Sequence, residues 1–130
     1  KPFIVYSYTK LLNILFTNEL ARRLKHTNIK ANSMHPGFVA SNFGKSGNLA
    51  IRNMVRMGRP FARTTKKGAE TIVYLAVSPQ VEDETGKYYF DREAVQPSRL
   101  ARDPDSAKKL WEKSENLLQS FLEVNPELNR

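Results

Sequence analysis

The chain has 130 residues, 40% hydrophobic and 26% charged, with a net charge of +8 and no cysteine, which is enough for one domain but too little for two. Without cysteine there is no disulfide, thiolate metal site or thiol nucleophile, and an intracellular, reducing compartment is expected. No apolar run approaches the roughly 18 to 20 residues of a membrane span, and the first residues carry no legible secretory signal.

The charge is uneven. Residues 1–67 hold thirteen Lys and Arg against the single acid Glu19, net +12, whereas residues 68–130 hold eight against twelve, net −4. A basic half can attract nucleic acid, an anionic membrane surface or a phosphorylated cofactor. The basic residues are dispersed, however, with no run longer than the pairs Arg22-Arg23 and Lys66-Lys67. No nucleic-acid-binding motif accompanies them, so nucleic acid is not an expected partner.

Residues 6–24 are strong helix formers without Gly or Pro, and Leu11, Leu12, Ile14, Leu15, Phe16, Leu20 and Leu24 are too many for one stripe. Such a helix needs cover on two sides, from its own sheet and from something else, a second subunit being one candidate. Arg22, Arg23 and Lys25 suit its negative C-terminal end. Asn28 opens a turn into a strand over 29–35, which Pro36 and Gly37 stop. A helix followed by a strand predicts the α/β class.

After Ser41 the chain is basic and glycine-bearing, with room for a short helix over 49–57. The stretch 43–63 is expected to be a mobile lid with Gly44, Gly47 and Gly58 as hinges. Residues 65–77 place Ala69, Ile72, Val73 and Ala76 at helical spacing, predicting a second buried helix stopped by Pro79. Gly86 to Asp91 is aromatic and reads as a strand. Asp103-Pro104-Asp105 opens a last helix carrying Ala107, Leu110, Trp111, Leu117, Leu118 and Phe121. There is no internal repeat and no low-complexity segment.

Tyr6 and Lys10 stand four residues apart on the first helix and so share a face. An ammonium beside a phenol favours the phenolate and makes it a usable general acid or base. Alone the spacing is weak, since a surface lysine beside a packing aromatic is commoner. The strand some twenty-five residues on ends in His35-Pro36-Gly37-Phe38-Val39-Ala40-Ser41. Pro36 fixes the backbone there, and Gly37 lets it approach a flat ligand. A ligand at the carboxyl end of a strand is expected in open α/β sheets.

Tyr6-x-x-x-Lys10 opening a long apolar helix, then a strand closing on Pro36-Gly37-x-Val39-x-Ser41, resembles the second half of the short-chain dehydrogenases/reductases. His35 before Pro-Gly, Gly86-Lys87-Tyr88-Tyr89, Pro97-Ser98 and the run from Ala101 to Glu115 resemble the tail of the retinol-dehydrogenase-like branch. The resemblance covers essentially the whole chain and agrees across several levels.

It implies the C-terminal part of a Rossmann-type doubly wound parallel sheet whose N-terminal half is absent. Residues 1–130 would then be the C-terminal portion of a single NAD(P)-binding domain, comprising the catalytic helix, the cofactor and substrate loop, and the C-terminal helices. The implied activity interconverts an alcohol and an aldehyde or ketone, apolar in character, by hydride transfer to or from NADP or NAD. Tyr6 would be the general acid/base. Lys10 would contact the nicotinamide ribose and tune the phenol. Pro36, Gly37, Val39 and Ser41 would line the nicotinamide, with Val39 hydrogen-bonding its carboxamide and Ser41 standing where threonine is usual.

Tyr8 does not match the catalytic tyrosine, because Leu12 lies four residues on. His35 suits a structural role better than metal ligation, with only His26 elsewhere, and no metal site is expected. The family's glycine-rich fingerprint, ribose-selecting residue, asparagine and catalytic serine precede its tyrosine and are not in this sequence, so the fragment alone is expected to be inactive. A membrane-associated location through an upstream segment stays open beside a cytoplasmic one, as does a homo-oligomer through the first helix. The alternatives are a non-catalytic family member, a cofactor-binding or interaction module, and a basic peripheral module.

Overall fold

A computed structural model describes residues 2–39, 53, 58, 60 and 62–124. The elements described throughout are α-helices α1 (Pro2–Arg23), α2 (Thr65–Val77) and α3 (Pro104–Val124), strands β1 (Ser33–His35), β2 (Tyr88–Phe90) and β3 (Glu93–Val95), and 3₁₀ turns at Pro79–Val81 and Leu100–Arg102. The strands form one sheet in the order β1-β2-β3. β1 and β2 run the same way, Ser33 N–H donating to the Lys87 carbonyl while His35 lies beside Phe90. β2 and β3 are joined by two residues, Asp91 and Arg92, with φ of 52° and 68°. Positive φ at both positions is what a tight antiparallel hairpin requires. The result is a small mixed sheet with helices, part of a Rossmann-type α/β fold, as the chain order predicts. The predicted helix over 49–57 and most of the predicted lid over 43–63 lie outside the described residues.

The chain divides into two compact units, one of Lys1–Ser33, Asp83–Tyr88 and Gln96–Arg130, the other of Met34–Glu82 and Tyr89–Val95. In the first, α1 packs on α3 and on the 3₁₀ turn Leu100–Arg102. Leu15, Ala21, Ala101 and Ala107 are buried there. Asn18 Nδ2 donates to the Ala101 carbonyl at 2.9 Å. Phe16 stacks on Trp111 with centroids 5.0 Å apart, and the Arg23 guanidinium lies 4.5 Å from the same indole. Residues 16 and 23 are two turns apart, so one face of α1 holds the indole by stacking and cation–π attraction.

Glu19, the one acid of the basic half, is buried in this seam with 2% of its side chain exposed. It accepts from Arg22 Nε at 2.8 Å and Nη2 at 2.6 Å and from Arg23 Nε at 2.9 Å. The Arg22 hydrogen bond, seconded by Arg23, lowers the Glu19 pKa to about 2 against the opposing effect of burial. Asp103 caps α3 by accepting from Ser106 N–H at 3.0 Å, as its place before Pro104 predicts. Asn32 ties the entry of β1 to the turn before β2, Nδ2 donating to the Glu84 carbonyl at 2.7 Å and Oδ1 accepting from Lys87 N–H at 3.0 Å.

In the second unit Thr64 caps α2, its hydroxyl accepting from Lys67 N–H at 3.2 Å. The side of α2 that is buried carries Gly68 and Thr71. The predicted apolar stripe does not turn inward here: Ile72 and Val73 are more than half exposed and Val77 is 72% exposed. The inward side is the one that must approach Val39 and the β2–β3 turn, and small side chains permit that approach. Thr71 Oγ1 accepts from Arg92 N–H at 3.2 Å, which fixes the turn to the helix.

The first unit also leaves apolar surface uncovered. Ile4, Tyr8, Leu12 and Phe16 recur every four residues along α1 and are each more than 40% exposed. Apolar area left in water forfeits about 25 cal/mol per Å2, against a typical net stability of about 5 to 15 kcal/mol. The isolated 130-residue chain should therefore aggregate or melt without a sharp transition; a cooperative calorimetric peak from a dilute monomer would contradict this.

Glu19 makes a pH prediction for the full-length protein. Its folded pKa is depressed, so its contribution is complete above the unfolded carboxylate value and is lost as pH falls from about 4.5 toward about 2. Glu19→Gln should lower stability at pH 7 by about 1–3 kcal/mol, with the gap from wild type closing at the acid end of that window. Denaturant melts at pH 7, 4 and 2.5 measure both effects.

Candidate functional site

Tyr6 and Lys10 lie in the first unit, on the first turns of α1. The helix turn brings them together, with the Lys10 ammonium 5.3 Å from the centre of the Tyr6 ring. Tyr6 is 42% exposed, and Lys10 is exposed too. Local backbone order is supported by Thr9, whose hydroxyl donates to the Tyr6 carbonyl at 2.7 Å. The two side chains thus share one exposed face of the helix. Tyr8 is 60% exposed.

Pro36, Gly37 and Val39 lie in the second unit, just past β1. Gly37 takes φ +77°, a conformation that side-chain-bearing residues rarely adopt. Its N–H donates to His35 Nδ1 at 2.7 Å, and the His35 ring meets Phe90 edge-on at 5.9 Å. His35 thus shapes the Pro-Gly turn, the structural role expected of it. Phe38 accepts from Arg63 N–H at 2.7 Å, and Val39 and Arg63 form an isolated parallel bridge. Arg63 thus bonds the residue before Val39 while lying beside Val39 itself. Ser41 lies outside the described residues.

Arg63 was not singled out in the sequence, yet it organises this unit. Its guanidinium makes a bidentate pair with Asp91, Nη1 to Oδ1 and Nη2 to Oδ2, the latter at 2.9 Å, and lies 4.8 Å from the Phe90 ring centre. The Arg63 hydrogen bonds hold the Asp91 pKa below the usual carboxylate value. Only the tertiary fold brings residues 63 and 91 together, so no local pattern could have signalled the pair. Among the described residues no group of three or more His, Asp or Glu is arranged to hold a metal, and no helix is long and apolar enough to cross a membrane.

The first unit thus presents Tyr6 and Lys10 on one exposed helix face, and the second a glycine-bearing backbone segment held by Arg63. No phosphate-binding glycine fingerprint is among the six glycines.

Comparison with known proteins agrees in class. No family model matches the chain, but it is homologous to several enzymes of the short-chain dehydrogenase/reductase family. It is 43% identical over 115 residues to "Retinol dehydrogenase 14" of Homo sapiens, covering 85% of this chain and 34% of that protein. It is 36% identical over 118 residues to "Short-chain dehydrogenase TIC 32 A, chloroplastic" of Brassica napus, covering 89% of this chain and 37% of that protein. It is also 37% identical over 120 residues to the human "WW domain-containing oxidoreductase", covering 92% and 29%. The chain thus spans about a third of the length of these relatives.

The geometry at Gly37 makes its own prediction. An added Cβ would stand 2.7 Å from Arg63 Nε at a φ of +77°. Gly37→Ala in the full-length protein should lose about 1–2 kcal/mol for the backbone, with a further steric part. An Arg63→Ala background should remove the steric part and leave the backbone part, which a double-mutant cycle of denaturant melts resolves.

Proposed function

We propose that the full-length protein is an NAD(P)(H)-dependent oxidoreductase of the retinol-dehydrogenase-like branch, interconverting an apolar alcohol and its aldehyde or ketone. This chain would supply the C-terminal portion of its cofactor-binding domain. The observation that carries the reading is the pair on α1, the Lys10 ammonium 5.3 Å from the Tyr6 ring centre on an exposed helix face. Homology to proteins named as dehydrogenases and oxidoreductases supports it.

The bound nicotinamide, whether of NADP or NAD, would supply or accept the hydride. Tyr6 Oη then gives a proton to the substrate oxygen in reduction and takes one in oxidation. Lys10 offers its ammonium hydrogens to the ribose hydroxyls and holds a positive charge beside the Tyr6 ring. Pro36, Gly37, Val39 and Ser41 border the nicotinamide. Val39, held beside Arg63, offers its N–H and C=O as a donor–acceptor pair for the carboxamide. The small-molecule substrate enters on the side of Tyr6 Oη.

Tyr6→Phe keeps the ring and removes the transferable proton, so turnover in the full-length protein should fall by about 100-fold or more while cofactor affinity survives. Lys10→Ala should impair both. Steady-state kinetics across pH, read beside fluorescence titrations with NADPH and NADH, test the assignment. Near-normal turnover in Tyr6→Phe would overturn it. Cofactor binding by a wild type without turnover on apolar alcohols and aldehydes would favour a non-catalytic relative.

A further inference from the structure

Residues 37–39 are gripped from two directions within their unit. On one side Arg63 runs beside Gly37, so close that a Cβ there would stand 2.7 Å from Nε and 2.9 Å from Cδ. On another, Val39 abuts the first turns of α2, where a Cβ at Gly68 would stand 2.6 Å from Val39 Cγ2. Arg63 N–H holds the Phe38 carbonyl at 2.7 Å.

What fixes Arg63 is the hairpin. Both terminal nitrogens of its guanidinium engage Asp91, and its plane lies 4.8 Å from the Phe90 ring centre. Asp91 sits in a turn with positive φ at both residues, and the next N–H, of Arg92, is held by the buried Thr71 of α2. A planar fork matched to a carboxylate has little freedom to rotate. The position of the turn is therefore passed through the Arg63 side chain to the backbone at Gly37, next to Phe38, which the Arg63 backbone N–H holds.

We propose that Arg63 is a positioning residue for the nicotinamide-facing backbone at 36–39, with Asp91 as its anchor; this rests on the oxidoreductase reading above. Arg63 touches no reacting atom. It sets the register of the peptide groups against which the nicotinamide is held, while the adenosine end of the dinucleotide is bound elsewhere.

The test titrates the full-length protein with NADPH and NADH, and separately with ADP-ribose and its 2′-phosphate, the same molecules without nicotinamide. Arg63→Ala should weaken dinucleotide binding by about tenfold, the scale of a small misplacement of a contact segment, and leave the nicotinamide-free probes unchanged. Arg63→Lys should recover part of the loss, since it keeps the charge but not the fork. Asp91→Asn, which tolerates positive φ, should reproduce a selective loss through the anchor alone. If Arg63→Ala fails to fold, Arg63→Lys and Asp91→Asn carry the same comparison, and a loss confined to the dinucleotides supports the proposal. Equal losses on both kinds of probe, or none, overturn it. A wild type that binds the nicotinamide-free probes but neither dinucleotide overturns the oxidoreductase reading and this inference together. Normal wild-type binding with non-selective variants overturns this inference alone.

Discussion

The first unit depends on a carboxylate under cover. Glu19 is closed off from water between α1 and its neighbours, and two arginines of its own helix satisfy both oxygens. Because Arg23 also lies over Trp111 of α3, one cation serves the buried acid and the indole together. That links the charge pattern of α1 to its packing: the basic last turn, which suits the helix dipole, is also the turn that must neutralise Glu19. A buried acid with no such partner would raise its pKa and protonate rather than stay ionised. The same seam aligns Phe16 with Trp111 and leaves the first turns of α1, with Tyr6 and Lys10, facing solvent.

The second unit solves a different problem, that of holding an irregular segment still. Backbone at a Pro-Gly turn has few ladder hydrogen bonds to keep it in place, and here the missing restraint comes from the His35 ring, one backbone bond from Arg63 and the close approach of Val39 to α2. His35 accepts the Gly37 N–H, Arg63 takes the Phe38 carbonyl, and Gly68 admits Val39. The approach of Val39 needs a residue without a side chain at position 68. The burial of Gly68 and Thr71 in place of the apolar stripe of α2 follows from that demand: helix and segment meet at distances a larger residue would prevent.

Exposed apolar rows on α1, α2 and α3, such as Ile4, Tyr8 and Leu12 on α1, Ile72 and Val77 on α2, and Leu117 and Phe121 on α3, mark surfaces whose composition suits burial. Homologous proteins about three times as long carry the matching region inside a larger chain. In that light the sequence pattern of the helices is informative about a bigger fold than these residues build. Their periodicity records what covers them, and it need not agree with the burial seen in a part.

Local rules carried a large share of what could be read from the residues. Helix length, the Asp103 cap before Pro104, the stop at Pro36-Gly37 and the pairing of Tyr6 with Lys10 follow from neighbours within about four positions, where propensity and helical geometry act directly. The third strand escaped notice because its turn, Asp91-Arg92, takes positive φ at both positions without the Asn-Gly or Gly that advertises such turns. Arg63 escaped because its partners are 24 and 28 residues away in the chain, and a lone arginine in a basic stretch looks like any other. The inward turn of Gly68 was hidden by the stronger signal of Ile72 and Val73. The sequence by itself determined the α/β order, the cap of the last helix and the one pair of residues that chemistry links through a single helical turn. Only the tertiary structure decided which arginine is anchored, which side of α2 is buried and how the Gly37 backbone is held, because those depend on contacts between segments remote in the chain and on the space each leaves the other.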